Sequence, residues 1–381
     1  MMKLGIDCRD LIAGSLNGIG RFVGNLLRSL TRRESPPDLF LYGNQHTVFD
    51  LPAGWGRPVR ARHRRAPEAA VWWWDRVTLP RLARRDRLDV FLSPYFKAPG
   101  IRSCPVAITI HDLMFLRMPP ELSGRSKVYG RAFRTFATYS ARRAAVVLTV
   151  SEYSCRDIVA LLDVPRTKVR IVGNCVGADF RPIDDPDRIA EAKASYGIDG
   201  EYLLYVGNFG PHKNVGGLID AYAGLDGELR DRCSLVLVGR KDRWTPDLLR
   251  KAHRLGLENR VLTTGHVRDQ HLPALYAGAR AFVTLSYWEG FGLPALEAMA
   301  CGTPVVSSNR AALPEVTGGA ALLVDPDHTP SCSQALAHVL SDAGIRGELC
   351  EKGRRRAAAF SPGRFSDNVL AALTAAMEAE N

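Results

Sequence analysis

Short runs of aliphatic and β-branched residues alternate with stretches of helical periodicity along the whole 381-residue chain. In the first half, residues 3–7, 39–42, 90–93, 106–111, 146–150 and 169–172 have the length and composition of strands. Between them, residues 19–31, 126–143 and 153–162 repeat apolar positions every three or four residues, as a helix with one buried face does. The pattern then starts again. Strand-like runs fall at 202–206, 235–238, 261–263, 281–284, 304–307 and 321–324, with helical segments at 215–222, 246–255 and 294–300. Such alternation predicts an α/β protein of two Rossmann-like, doubly wound units, each a parallel sheet covered by helices on both faces.

The length suits two cores better than one. Residues 1–180 are expected to form the first unit and 181–360 the second. Residues 177–200, rich in Asp, Pro and Gly, read as the linker and hinge. Residues 365–379 are apolar at helical spacing after Ser361-Pro362, so 361–381 is expected to be a helix docked back on the first unit.

Composition narrows the classes. Hydrophobic content of 46% and charged content of 24% are ordinary for a globular protein. No apolar run approaches the roughly 18 residues that span a bilayer. The start, Met1-Met2-Lys3-Leu4-Gly5-Ile6-Asp7, reads as a first strand and not as a signal peptide. The eight cysteines show no Cys-x-x-Cys pair and no zinc spacing, so buried reduced thiols and a cytoplasmic setting are expected.

The net charge of +11 is concentrated in residues 57–87, which carry ten arginines against Glu68, Asp75 and Asp86, with Trp72, Trp73 and Trp74 among them. Two readings stand: a solvated basic face with tryptophans turned inward, or peripheral contact with an anionic membrane. No recognition motif supports nucleic acid as a partner.

The chemistry concentrates in Ser286-Tyr287-Trp288-Glu289-Gly290-Phe291-Gly292-Leu293-Pro294-Ala295-Leu296-Glu297. A strand ends near Leu285, a glycine-rich turn follows, and Pro294 opens a helix that Gly302 stops. The N–H groups of Phe291, Gly292 and Leu293 at the helix start suit an anion, and Gly290 and Gly292 permit close approach. Glu289 and Glu297 bracket that position. Carboxylates repel phosphate and accept from hydroxyls, so the layout suits a nucleotide sugar: sugar hydroxyls, diphosphate, ribose hydroxyls.

This segment resembles the signature of glycosyltransferase family 4, retaining enzymes of the GT-B fold. Further matches occur in order: Gly18-Ile19-Gly20-Arg21, Thr109-Ile110-His111-Asp112-Leu113, Val150-Ser151-Glu152, Val206-Gly207 with Lys213-Asn214, Leu237-Val238-Gly239, Gly265-His266-Val267, Leu275-Tyr276 and Leu313-Pro314-Glu315-Val316. The resemblance implies two Rossmann-like domains facing a central cleft, the first binding the acceptor and the second the nucleotide. It implies that Glu289 contacts the donor sugar, Glu297 the ribose and Lys213 the diphosphate. His111 would bond the sugar near the reacting carbon, and Gly18 and Gly20 would admit diphosphate and acceptor. Asn208, His212, Arg240 and His266 complete the expected donor set, and no metal or cofactor is implied. Asp185-Pro186-Asp187 and Asp325-Pro326-Asp327 read as turns rather than metal sites.

Family members add an arginine near the lysine, whereas Asn208 and His212 occupy those places here. Arg240 is the candidate to compensate. The pattern is nearest to bacterial mannosyltransferases of surface-polysaccharide assembly. That points to GDP-mannose as donor and a saccharide or lipid-linked saccharide as acceptor. The alternatives are a UDP-sugar or other nucleotide-sugar donor, or a non-catalytic nucleotide-sugar-binding protein. A sugar-nucleotide epimerase would need an added acid/base pair that is not evident. The run Gly18-Ile19-Gly20-Arg21-Phe22-Val23-Gly24 misses the dinucleotide-binding spacing by one residue.

Overall fold

A computed structural model of the chain describes residues 2–12, 18–44, 46–47, 60–63, 73–119 and 127–378, with backbone alone at 60–63, 127 and 129. Its contacts divide it into two units, Met1–Cys175 with Phe360–Asn381, and Val176–Ala359.

The first unit is built on a parallel sheet of seven strands: β1 (Lys3–Asp7), β2 (Asp38–Gly43), β3 (Arg60–His63), β4 (Val90–Ser93), β5 (Val106–Thr109), β6 (Val146–Thr149) and β7 (Val169–Ile171). Their spatial order is β3-β2-β1-β4-β5-β6-β7. The second unit holds β8 (Glu201–Val206), β9 (Cys233–Val238), β10 (Val261–Gly265), β11 (Ala281–Thr284), β12 (Val305–Ser308) and β13 (Leu322–Val324), ordered β10-β9-β8-β11-β12-β13. Both sheets start in the middle, run to one edge, return and finish at the other. In each, the order reverses between the first and fourth strands, where open α/β sheets bind ligands at their carboxyl ends.

Central strands are buried along all or nearly all of their length because helices cover both faces. The second core gathers Leu203, Tyr205, Leu235, Leu237 and Val283 with Leu218, Tyr222 and Leu336 from flanking helices. The described helices of the first unit include Gly18–Thr31, Leu79–Asp86, Lys127–Arg143 and Glu152–Leu162. The chain's last helix, Pro362–Glu378, packs on Gly18–Thr31, with Phe365 and Phe22 edge to face at 5.1 Å. Asn368 also donates to the Val172 carbonyl at 3.3 Å.

One expectation is corrected here, and one strand is added. Residues 177–200 are not a bare linker, for the unit boundary falls at Cys175/Val176. Asp185 caps a helix, Pro186–Ala194, by accepting from the N–H groups of Asp187 and Arg188. Tyr196 then bonds His271, and Phe180 lies 6.0 Å from the Tyr276 ring, so this segment belongs to the second unit. Strand β3 falls in the arginine-rich stretch, where the side-chain pattern gave no sign of it. Backbone pairing to β2 makes it the sheet edge.

Of the three tryptophans, Trp74 is buried, Trp73 is exposed, and Trp72 lies outside the described residues. The helix Leu79–Asp86 buries Leu79, Leu82 and Ala83 and leaves Arg81, Arg84 and Arg85 outside. All eight cysteines are free thiols, and burial raises those at Cys8, Cys175 and Cys233 above their ordinary range. Among the described residues no helix is long and apolar enough to cross a membrane.

Candidate active site

The carboxyl ends of β10, β9, β8 and β11 lie side by side, and each is followed by expected site residues. His266 follows β10 and Arg240 follows β9; both are exposed. The turn after β8 carries Gly207, Asn208 and Lys213. The turn after β11 carries Ser286, Glu289 and the glycines. Strands β8 and β9 stay close past their ends, Gly207 donating to the Val238 carbonyl at 2.9 Å. A Cβ on Gly239 would lie 2.0 Å from the Gly207 oxygen, so only glycine fits there.

Lys213 ends a short 3-10 turn, Pro211–Lys213. Asn214 follows in the left-handed region at φ 50° and caps helix Val215–Ala223 by accepting from Gly217. Its amide also donates to the Pro326 carbonyl at 3.2 Å. These bonds fix the direction of the lysine. Its Nζ donates to Glu289 Oε1 at 2.6 Å, with both side chains largely buried. Ser286 donates to the same oxygen at 2.9 Å and is itself 3.1 Å from the Thr284 hydroxyl. The two loops are also joined through backbone, Tyr287 N–H to the His212 carbonyl at 2.8 Å. Residues 76 positions apart thus form one charged pair beside the start of helix Leu293–Ala300.

That helix begins one residue before Pro294. Gly292 is its N-cap, at φ 96°, and no side chain caps it. Pro294 has no N–H, and the first N–H groups of a helix lack partners within it, so this end carries partial positive charge. Gly290, Phe291 and Leu293 are buried in the turn.

Glu297 is placed differently from Glu289. It is 1% exposed and accepts from the Tyr276 hydroxyl at 3.1 Å. Its carboxylate is engaged inside the second unit, and the expected ribose contact stays a proposal.

His212 does not replace the absent arginine as a charge. Burial first, then the neighbouring Lys213 cation, bring its imidazole down to about 4, with Glu289 opposing. It is neutral at neutral pH and can act only through hydrogen bonds. Asn208 is exposed, its side chain accepting from the Gly210 N–H and its carbonyl from Tyr205. Arg310 at the end of β12 is committed to Asp325 and Asp327 at 2.8 Å each. The second of the two Asp-x-Asp sequences is therefore an arginine-bound turn and the first, at Asp185, a helix cap. Tyr276, Ser286, Thr284 and Asn214 were not among the expected residues. Of these, Ser286, three places before Glu289, had the clearest local signal.

In the first unit, His111 follows β5. Its Nε2 lies 3.2 Å from the Pro94 carbonyl, its own carbonyl accepts from Ser154 at 2.8 Å, and Phe22 meets the ring edge-on at 4.9 Å. A carbonyl can only accept, so Nε2 carries the proton and Nδ1 is left as an acceptor suited to a hydroxyl. Burial brings this imidazole down to about 4. Gly18 and Gly20 are in the first turn of helix Gly18–Thr31, Gly18 exposed and Gly20 buried.

Models of two sequence families match the chain, Glycosyltransferase Family 4 over residues 16–180 and Glycosyl transferases group 1 over residues 189–358. O-antigen chain mannosyltransferase B of Escherichia coli is 33% identical over 376 residues, covering 94% of this chain and 96% of that protein. The chain belongs to glycosyltransferase family 4. Serotype-specific mannosyltransferase WbdA of Escherichia coli is 32% identical over 222 residues, 58% of this chain and 27% of WbdA. The fold of this family 4 member is matched by crystalline Anabaena HepE in complex with UDP-glucose, with a TM-score of 0.80 at 18% identity, over 98% of this chain and 100% of HepE. It is the GT-B class of two Rossmann-like units, and the chain is a hexosyltransferase.

Proposed function

We propose that the chain transfers mannose from GDP-mannose, with retention, to a lipid-linked saccharide during assembly of a surface polysaccharide. The observation that carries this reading is the Lys213–Glu289 pair beside the uncapped helix start at Gly292, in a chain alike over nearly its full length to an O-antigen chain mannosyltransferase.

The chemistry follows from charge. As the bond between the anomeric carbon and the diphosphate oxygen breaks, negative charge grows on the leaving group. Lys213 and the helix N-terminus are suited to stabilise it, with no metal needed. Glu289 holds the lysine and accepts from sugar hydroxyls, and Glu297 accepts from the ribose. Arg240, His266, Asn208 and His212 border the nucleotide, and Gly18 and Gly20 leave room for substrate. His111 offers Nδ1 to a sugar hydroxyl. The acceptor oxygen bonds the anomeric carbon from the face the diphosphate leaves, and its proton passes to a departing phosphate oxygen. The cytoplasm, where nucleotide sugars are made, is the proposed setting, with peripheral attachment to the anionic inner face of the membrane.

The test is release of nucleoside diphosphate from a panel of GDP- and UDP-sugars, with and without membrane extract, and with a chelator. Turnover with GDP-mannose that survives chelation is expected. Turnover with a UDP-sugar alone would overturn the donor, and no turnover or binding with any donor would overturn the enzyme reading.

A further inference from the structure

We propose that Arg310 and the turn Asp325-Pro326-Asp327 form a brace that positions the Lys213–Glu289 pair, so that an exposed arginine sets the rate of transfer through two residues on other loops. The proposal rests on the reading of that pair as the group that meets the diphosphate.

The turn follows β13 and reaches both loops of the pair by separate bonds. On the lysine side, the Pro326 carbonyl accepts from the Asn214 side-chain amide at 3.2 Å. Asn214 comes directly after Lys213, and its other side-chain atom accepts from the Gly217 N–H at 3.2 Å. The lysine is thus held between a helix start and the turn. On the glutamate side, the Arg310 guanidinium donates to Asp325 and Asp327 at 2.8 Å each. Two residues on, the Ala312 N–H donates to the Glu289 carbonyl at 3.3 Å. Asp327 is reached a second time, by Tyr287, two residues before Glu289. Burial first, then the bond to Asp327, push that phenol above its ordinary range.

The backbone between Arg310 and Ala312 shows that this arrangement is imposed. Ala311 has φ 56°, a left-handed conformation that a side chain disfavours. Such a residue persists where its surroundings hold it, and such residues gather at functional sites. Here the hold is on its neighbours. The Asn309 N–H bonds the Val324 carbonyl at 2.9 Å, the Arg310 N–H bonds the Ser308 hydroxyl at 3.1 Å, and the guanidinium is clamped by the turn. The kink at Ala311 then delivers the Ala312 N–H to Glu289. Arg310, Asp325 and Asp327 are 43%, 46% and 57% exposed. Ion pairs so exposed contribute little to folding. The clamp therefore decides where Glu289 stands more than whether the chain folds.

The experiment replaces Arg310 by Ala and by Lys, and reads diphosphate release, urea unfolding and hydrogen exchange of the free chain. Arg310→Ala should lower kcat about tenfold or more, with the donor KM within about twofold and the urea midpoint near native. Arg310→Lys retains a charge that can meet one of the two acids and should recover part of the rate. In a Glu289→Ala background, adding Arg310→Ala should cost little more, because the brace acts through the glutamate. Amide exchange should quicken at residues 286–292 and 309–313 and stay native elsewhere. A native kcat, unchanged exchange in those segments, or a loss that multiplies in full with that of Glu289→Ala would overturn the proposal. So would a rise in KM alone, which would assign Arg310 to the donor itself. Exchange needs no donor. A chain inactive with every donor, yet loosened at those segments by Arg310→Ala, would therefore fail the functional reading and support the brace.

Discussion

Lys213 and Glu289 meet at 2.6 Å across two loops, and neither loop alone could place the pair. The lysine is aimed by the 3-10 turn after β8, and the glutamate by Ser286 at the end of β11. The pairing leaves the site nearly neutral locally, with Lys213 held ready for a diphosphate. Removing either partner should therefore act on chemistry more than on folding. Lys213→Ala and Glu289→Ala are each expected to lower kcat by about a hundredfold or more. The double variant should lose much less than the product of the two, because they act as a unit. Steady-state kinetics of diphosphate release checks this, and near-normal rates for either single variant would remove that residue from the reaction.

Gly292 is required for two reasons at once. Its φ of 96° lies where side chains are strained, and a Cβ would stand 2.6 Å from Leu313 Cδ2. Gly292→Ala is expected to cost about 1–3 kcal/mol in urea unfolding and to raise the donor KM. Adding Leu313→Ala relieves the contact but not the backbone strain, so the donor KM should recover in part only. Full recovery would show that φ is not the constraint.

The strands were legible in the sequence because parallel strands buried on both faces read as short apolar runs. Strand β3 was not, since Arg60-Ala61-Arg62-His63 joins the sheet through its backbone. The helix Pro186–Ala194 was hidden by its own start signal: Asp185-Pro186 caps a helix but also resembles a turn. In the site, the glycine-rich loop and its helix were legible because their signals are local. The Lys213–Glu289 pair depends on strand order, which periodicity does not give. The burial of Glu297 was equally hidden, since its contact with the Tyr276 hydroxyl joins two helices whose neighbourhood the spacing along the chain does not give.

Two enclosed histidines, His212 buried and His111 partly so, give the protein a pH dependence of stability. His111 and His212 are both brought down to about 4 from 6.5, mainly by burial. Between those values the unfolded chain binds protons that the folded chain does not. Their contribution is therefore intact above pH 6.5 and is lost as pH falls towards 4, on the order of 3 kcal/mol per histidine. Urea midpoints from pH 8 to pH 4.5 should fall for the native chain, and the fall should be smaller in His212→Gln. Equal slopes for the two proteins would show that His212 is not held neutral. Since both rings are neutral from pH 6 to 8, neither should contribute a limb to the activity profile there.

Glu297 separates a structural role from a binding one. Its Oε2 takes the Tyr276 hydroxyl bond and the residue is almost wholly enclosed. Tyr276→Phe removes that donor and should cost about 1–3 kcal/mol of stability, the range for a buried group that loses a hydrogen bond. Glu297→Gln keeps the shape and an acceptor oxygen, so its unfolding midpoint should move less. If the carboxylate also receives the ribose hydroxyls, the native enzyme must prefer GDP-mannose over its 2′-deoxy analogue, and Glu297→Gln must lose most of that preference. The ratio of kcat/KM for the two donors reads this directly, independent of any loss of folded protein. A ratio unchanged by Glu297→Gln would confine Glu297 to holding the helix Leu293–Ala300 against Tyr276, leaving the ribose to other groups.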